Sequence, residues 1–313
     1  LWLLYLKCTE SVQTSFHFKK RCNHWAMKIV TYNIQFGCGR DGKVDLDRII
    51  EAVRDADVIA LQEVDRYWPR SGDIDQVKLI VDNFPIFDFA YGPGVDQAIT
   101  GKMGSDGRPI RRQFGNLLIS RGPIRYVRHH LLPKFASIGP LSIQRSVLEC
   151  AIQTECGPIR FYSLHLTHLS AETRMPQVHS LLRLHRDAQI EGPPVCGDAN
   201  GGYWHDGVAQ ESTPDAAILL GDFNFQPNSR EYSEIVGPLS PYGGRITHPL
   251  GFVDAWVMAD GEDDSGYTAE VEGAPARLDY AFVSASFCDR IRSCWVDSDA
   301  DGSDHQPLWL ELG

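Results

Sequence analysis

Several apolar runs in this chain end or begin on a side chain able to hold a metal ion or a phosphate, and this recurrence most narrows the folds open to it. Lys28 to Asn33 stops on an amide, and Val58 to Leu61 runs into Gln62 and Glu63. Pro158 to His165 stops on an imidazole, and Ala216 to Gly221 leads into Asp222. Leu278 to Ser284 carries Asp279 at its start, and Gln306 to Leu310 follows Ser303-Asp304-His305. Runs this short, rich in aliphatic residues and bounded by Gly, Pro, Asn or Asp, read as strands. Between the first two lies a helix, because Leu46, Ile49, Ile50 and Val53 recur at helical spacing while Asp47, Arg48, Glu51 and Arg54 are left for solvent. Strand, helix, strand is the alternation expected where helices cover a sheet.

The rest of the chain follows the same logic. A second helix is expected over Asp75 to Asn83, and a third over Ala171 to Asp187 with Met175, Val178, Leu182 and His185 on one side. Asn116 to Ser120, Ile124 to Leu131 and Ser146 to Thr154 read as strands of antiparallel hairpins, with Glu155, Cys156 and Gly157 as a turn, and Ile291 to Val296 as a further strand. Gly92 to Gln113 and Gly192 to Pro214 resemble insertions placed to border a cleft. One domain is expected over residues 27–313, with residues 1–26 as an N-terminal extension. The opening run Leu1 to Leu6 lacks the basic region and cleavage site of a secretory signal.

No apolar run approaches the roughly 20 residues of a membrane-spanning helix. A cytoplasmic location is therefore the expectation, with secretion left open and a monomer as the default. The net charge of −11 opposes adhesion to polyanions and acidic membrane surfaces, although a local basic cleft could survive within it. The eight cysteines contain no C-x-x-C pair and match no zinc-ligand spacing, so reduced thiols are expected.

Hydrolysis of a phosphate ester requires neutralised phosphoryl oxygens, an activated water in line with the leaving group, and help for that group as it departs. Strands of equal length would bring Asn33 and Glu63 side by side, where oxygen ligands suit a hard cation such as Mg²⁺. Gly221-Asp222-Phe223-Asn224 turns Asp222 and Asn224 the same way. Asp279 is placed to orient His305, Asp304 is left free to reach a metal, and His165 closes the same kind of strand. Each short element alone has an ordinary reading as a turn former or a solvated residue. His129, His130, His168, His179 and His205 are read as structural.

Taken in order, TYNIQ at 31–35, LQEV at 61–64, FGNLLIS at 114–120, SLHL at 163–166, GDFN at 221–224, RLDY at 277–280 and SDH at 303–305 resemble the motifs of the endonuclease/exonuclease/phosphatase superfamily. The resemblance spans Met27 to the end and is similar to the deoxyribonuclease-like, histidine-bearing branch. It implies a four-layer α/β sandwich, two facing mixed sheets flanked by helices. It also implies Glu63 as the main ligand of Mg²⁺ (or Mn²⁺), with Asn33 and Asp304 as its partners. Asp222 and Asn224 would orient water and phosphate, His305 with Asp279 would be base and orienter, His165 would lie near the phosphate or leaving group, and Asn116 would be auxiliary. Ser163 to Leu166 stands where abasic-site repair endonucleases carry a tyrosine and a Pro-Asn element, which argues against base-excision repair. The expected function is metal-dependent hydrolysis of phosphoesters, diesters foremost, with a nucleic acid or nucleotide substrate ahead of a phospholipid or sphingolipid headgroup. A non-catalytic binding module on the same fold is the alternative of another class. Tyr203 and Trp204 are a minor candidate for contact with lipid.

Overall fold

The computed structural model describes residues 26–104, 106–197, 211–262 and 265–313. Residues 1–25, and with them most of the expected extension, lie outside the described residues, as do Tyr203, Trp204, His205 and most of the segment from Gly192 to Pro214.

The chain runs through β1 (Met27–Asn33), α1 (Leu46–Val53), β2 (Val58–Arg66), α2 (Gln76–Val81), β3 (Asp88–Met103), β4 (Pro109–Ser120), β5 (Ile124–Leu131), β6 (Ser146–Thr154) and β7 (Gly157–His165). It continues through α3 (Ala171–Glu191), β8 (Ala217–Asp222), α4 (Arg230–Val236), β9 (Phe252–Asp254), α5 (Ala255–Met258), β10 (Ala269–Val271), β11 (Ala274–Ala276), β12 (Asp279–Ser284), β13 (Ile291–Val296) and β14 (Leu308–Leu312). One six-stranded sheet has the order β13-β14-β1-β2-β4-β3, the other β5-β6-β7-β8-β12-β9, and β10 with β11 forms a separate ribbon. Each large sheet mixes parallel and antiparallel pairs: β1 with β2 and β7 with β8 run parallel.

Three apolar clusters define the layers. Ile29, Ala60, Leu118, Leu148, Phe161, Leu220, Ala281 and Leu310 fill the space between the sheets. Val30, Ile59 and Leu61 pack outward against Ile49, Val53 and Ile80 of α1 and α2. Tyr162, Leu164, Phe223 and Phe282 pack outward against Val178 and Leu181 of α3 and Tyr232 and Ile235 of α4. A strand covered on both faces must be apolar at every position, which is why these runs lack alternation in sequence. This is the four-layer α/β sandwich expected from the resemblance.

Three expectations change. Gly92 to Gln113 is not a loop insertion but the outer part of a long β3–β4 hairpin, joined across Gly92 to Asn116, Asp96 to Gln113 and Ala98 to Arg111. The glycines and basic residues concealed it, because a ribbon beyond the sheet edge has no core-facing period to read. The strand from Val58 does not end at Leu61: it kinks between Leu61 and Val64 and resumes pairing with β4. On α3 the buried side chains are Gln177, Val178, Leu181 and Ala188, so the packed face is rotated from the expected one. The Gln177 side chain explains part of the shift, accepting from Thr167 N–H and donating to the Pro133 carbonyl.

Candidate active site

Strand parity places most of the site. Side chains alternate between faces, so the inward positions of β1 are Ile29, Thr31 and Asn33, and those of β8 are Ile218, Leu220 and Asp222. The same count gives Phe161, Ser163 and His165 on β7, Leu118 and Asn116 on β4, Leu148 and Ser146 on β6, and Ala281 and Asp279 on β12. In each case apolar residues fill the core and the last inward residue, at one common rim, is polar. Register then makes neighbours of them: His165 pairs with Asp222, and Asp279 with Asp222. Gly221 is required here, since a Cβ on it would lie 1.9 Å from the Leu164 carbonyl oxygen.

Glu63 breaks this parity. Inward Gln62 bonds across the sandwich to Ser163 Oγ (3.2 Å), so its neighbour Glu63 ought to face α1 and α2. Instead Glu63 adopts φ +61 at the β2 kink, which turns its carboxylate back into the rim. A left-handed non-glycine residue costs on the order of 1–3 kcal/mol, a strain typical of functional sites. Asn224 is also left-handed (φ +53), and its backbone N–H donates to Asp222 Oδ1 at 2.9 Å.

Facing strands pair these groups into a row. At one end His305 Nδ1 lies 2.7 Å from Asp279 Oδ2, and His305 Nε2 lies 3.8 Å from Asp222 Oδ2. Next, Asn33 Nδ2 donates to Asp222 Oδ2 at 2.9 Å. Glu63 Oε1 then sits 3.7 Å from His165 Nδ1. Beyond it, Asn116 Nδ2 donates to the Ser146 carbonyl at 2.9 Å. Asp304 is exposed on the same rim, where Ser303 Oγ ties its loop to the Asn33 carbonyl at 2.7 Å. All nine residues expected from sequence, Asn33, Glu63, Asn116, His165, Asp222, Asn224, Asp279, Asp304 and His305, therefore meet at one place.

Arg145, which the sequence reading missed, occupies the middle of this row. It is 5% exposed, it points Nη1 at His165 Nδ1 (2.9 Å) and Nη2 at His168 Nδ1 (3.4 Å), and its ring-side neighbour is Phe114. A guanidinium only donates, so His165 Nδ1 accepts and the neutral ring carries its proton on Nε2, which lies 3.2 Å from Asp222 Oδ2 and 3.0 Å from the Asn224 side-chain amide. Burial, and then the Arg145 charge, hold His165 well below the usual histidine range, so it is a neutral hydrogen-bond donor. His168 thus touches the rim through Arg145 although it was read as structural. Gln-Arg-Ser ahead of a strand reads as a solvated turn, and no local signal marks Arg145.

The electrostatics follow from burial and neighbours. Burial raises Glu63 despite the Arg145 and His305 charges. Burial also pushes Asp222 up to about 7. For His305 burial opposes the charged ring, but the Asp279 carboxylate outweighs it and raises the group to about 10.

The donor set fits a hard divalent cation. Glu63 makes no hydrogen bond among the described residues, only the long contact with His165, so a desolvated carboxylate faces the rim beside the Asn33 amide and the Asp304 carboxylate. Among the described residues no three His, Cys, Asp or Glu side chains form a ready-made cage. Mg²⁺ does not require one, since it keeps several waters and uses one or two carboxylates. None of the six described cysteines belongs to the row.

Compared with known proteins, the chain matches the model of the Endonuclease/Exonuclease/phosphatase family over residues 30–305. No curated protein matches it in sequence. Among solved structures it resembles an endonuclease/exonuclease/phosphatase from Bacteroides vulgatus at TM-score 0.61 and 16% identity, over 93% of this chain and 99% of that one. It also resembles the mannosyl-6-phosphatase Bt3783 of Bacteroides thetaiotaomicron (TM-score 0.59, 18% identity, 92% of this chain and 99% of that one). A truncated TDP2 of Caenorhabditis elegans aligns at TM-score 0.53 and 16% identity, over 92% of this chain and 97% of that one.

Proposed function

Since this chain belongs to the Endonuclease/Exonuclease/phosphatase family, we propose that it is a divalent-metal-dependent hydrolase of phosphoesters, with a diester of nucleotide type as the leading substrate. The observation that carries this reading is the row itself: oxygen donors, a buried guanidinium and a carboxylate-held imidazole along one rim. Mg²⁺ or Mn²⁺ bound by Glu63, Asn33 and Asp304 would neutralise charge on the phosphoryl oxygens.

The chain's own groups do the rest. Arg145 would offer its buried positive charge to the phosphate from the opposite sheet, while His165, bonded to Arg145 through Nδ1 and facing Asp222 through Nε2, holds both groups in place. Asn224 buttresses that side, its Nδ2 donating to the Leu166 carbonyl at 3.1 Å. Asp222 Oδ2 and His305 Nε2, 3.8 Å apart, leave between them a position from which both reach one water. Its oxygen bonds to phosphorus as the bond from phosphorus to the leaving oxygen breaks. The water's proton passes to the Asp222–His305 pair, and the leaving oxygen takes a proton from solvent.

Glu63→Ala, Asp222→Ala and His305→Ala are each expected to lower turnover of bis-p-nitrophenyl phosphate by at least about 10³-fold with Mg²⁺ or Mn²⁺ present, circular dichroism remaining native. Unchanged turnover in all three would reject the assignment.

A phospholipid-type diester is the second reading, favoured by exposed Phe135, Ile138 and Leu141 in the loop before β6. Parallel assays on single-stranded DNA, RNA, dinucleotides and mixed phospholipid micelles separate the two.

A further inference from the structure

At the β3–β4 edge of the row lies a cavity of about 500 Å³ bordered by Trp68, Arg70, Val95, Phe114, Lys134 and Leu141. It joins the catalytic rim through Gly94, Phe114 and Gln144, which also border a small pocket with Glu63, Asn116, Arg145 and His165. At this neck the hairpin and the loop before β6 touch: a Cβ on Gly94 would lie 2.2 Å from the Gln144 carbonyl oxygen. The volume is that of a small-molecule site.

Direction follows from the strand order. β12 and β14 bring Asp279 and His305 to one end, Glu63, His165 and Arg145 stand in the middle, and the cavity opens beyond β4 at the other end. In-line displacement puts the departing oxygen across phosphorus from the attacking water. A water held by Asp222 and His305 therefore drives the leaving group toward the cavity.

Charge and shape narrow its chemistry. Trp68 and the largely buried Phe114 line one wall, with the planar Arg70 guanidinium over both rings at 4.9 and 5.2 Å, so the wall is flat. The Arg70 charge is answered by two hydrogen bonds to Asp65 (2.9 Å each), and Asp96 at the margin is answered by Arg111 at 2.6 Å. Lys134 is exposed and has no ion pair or hydrogen bond among the described residues, so the charge left over is positive.

We propose that this cavity receives the leaving group of the ester, and that this group is a flat, largely apolar alcohol of about nucleoside size bearing an acidic substituent. The inference rests on the hydrolase reading above.

Two esters test it in the full chain: 4-methylumbelliferyl methyl phosphate, with a bulky leaving group, and thymidine 5′-trifluoroethyl phosphate, with a small one. Val95→Trp, and Leu141→Trp at a position 72% exposed, both obstruct the cavity. The ratio of kcat/KM, umbelliferyl over trifluoroethyl, is expected to fall at least about tenfold in each variant. Lys134→Ala is expected to cost about tenfold on an umbelliferyl ester carrying a carboxylate and less than about threefold on the uncharged one. A ratio that stays level overturns the proposal, and a ratio that rises places the retained group in the cavity and overturns it as well. Should thermal melting show Val95→Trp unfolded, the Leu141→Trp ratio decides. Wild-type protein that turns over neither ester with Mg²⁺ or Mn²⁺ rejects the hydrolase reading and this inference together, whereas turnover with a level ratio rejects the inference alone.

Discussion

Asp279 has no contact with the open rim, yet it governs His305. Its backbone N–H is held by Thr268 Oγ1 at 3.1 Å, and its Oδ2 is fixed 2.7 Å from His305 Nδ1. Asp279→Asn keeps the shape but presents an amide, which removes the charge and disturbs the ring's proton placement. A drop in kcat of about 10²–10⁴-fold is expected, with KM changed less than about threefold, read from initial-rate kinetics. An equal rise in KM would instead mark Asp279 as part of substrate binding. Position at the end of an apolar strand made Asn33, His165, Asp222 and Asp279 legible, whereas Asn116 was legible only through the motif FGNLLIS. Glu63 was legible as a residue following a strand, but not how it reaches the site, since simple alternation turns it away and its left-handed backbone turns it back.

Helix α3 shows how an element seats a titratable group. His185 packs at a tilt on Phe252 with ring centroids 4.4 Å apart, and its Nδ1 lies 3.2 Å from Arg160 Nη2. Arg160 is buried and also donates to the Pro214 carbonyl at 2.8 Å. Burial first, and the Arg160 charge second, lower His185 to about 4. The folded state thus favours the neutral ring, and its contribution is complete above the unfolded value near 6.5. That contribution is lost as pH falls from about 6.5 toward 4, at most about 3 kcal/mol because the ring is only half-buried. Urea titrations at pH 7.5 and 4.5 should show a smaller pH difference for His185→Gln than for wild type. Equal differences would place the acid sensitivity elsewhere. The β3–β4 hairpin is the element that escaped the sequence reading. Its outer pairing depends on β4, a partner no local composition reveals.

The whole molecule places its polar row at one rim of a sandwich whose interior is apolar, so burial of the core and convergence of the site come from one packing event. Glu63 then lies desolvated among cations and carboxylates, and a bound divalent ion should stabilise the folded state. At a metal concentration about a hundred times Kd the gain is about 2.7 kcal/mol, visible as a rise of several degrees in Tm by differential scanning calorimetry. Glu63→Ala should abolish most of that rise, and a wild-type Tm indifferent to Mg²⁺ and Mn²⁺ would count against the assigned ligands. Among the described residues no helix is long and apolar enough to cross a membrane.

What the amino-acid order determined by itself is the sandwich and its polar ends, because burial on both faces demands unbroken apolar strands and a two-residue repeat fixes which end residues face inward. What only the tertiary structure decided is the reversal at Glu63, the burial of Arg145 and the cavity beyond Phe114. Each depends on where a second strand or loop comes to rest against the first, and the hydrophobic repeat of a single segment holds no record of its partner.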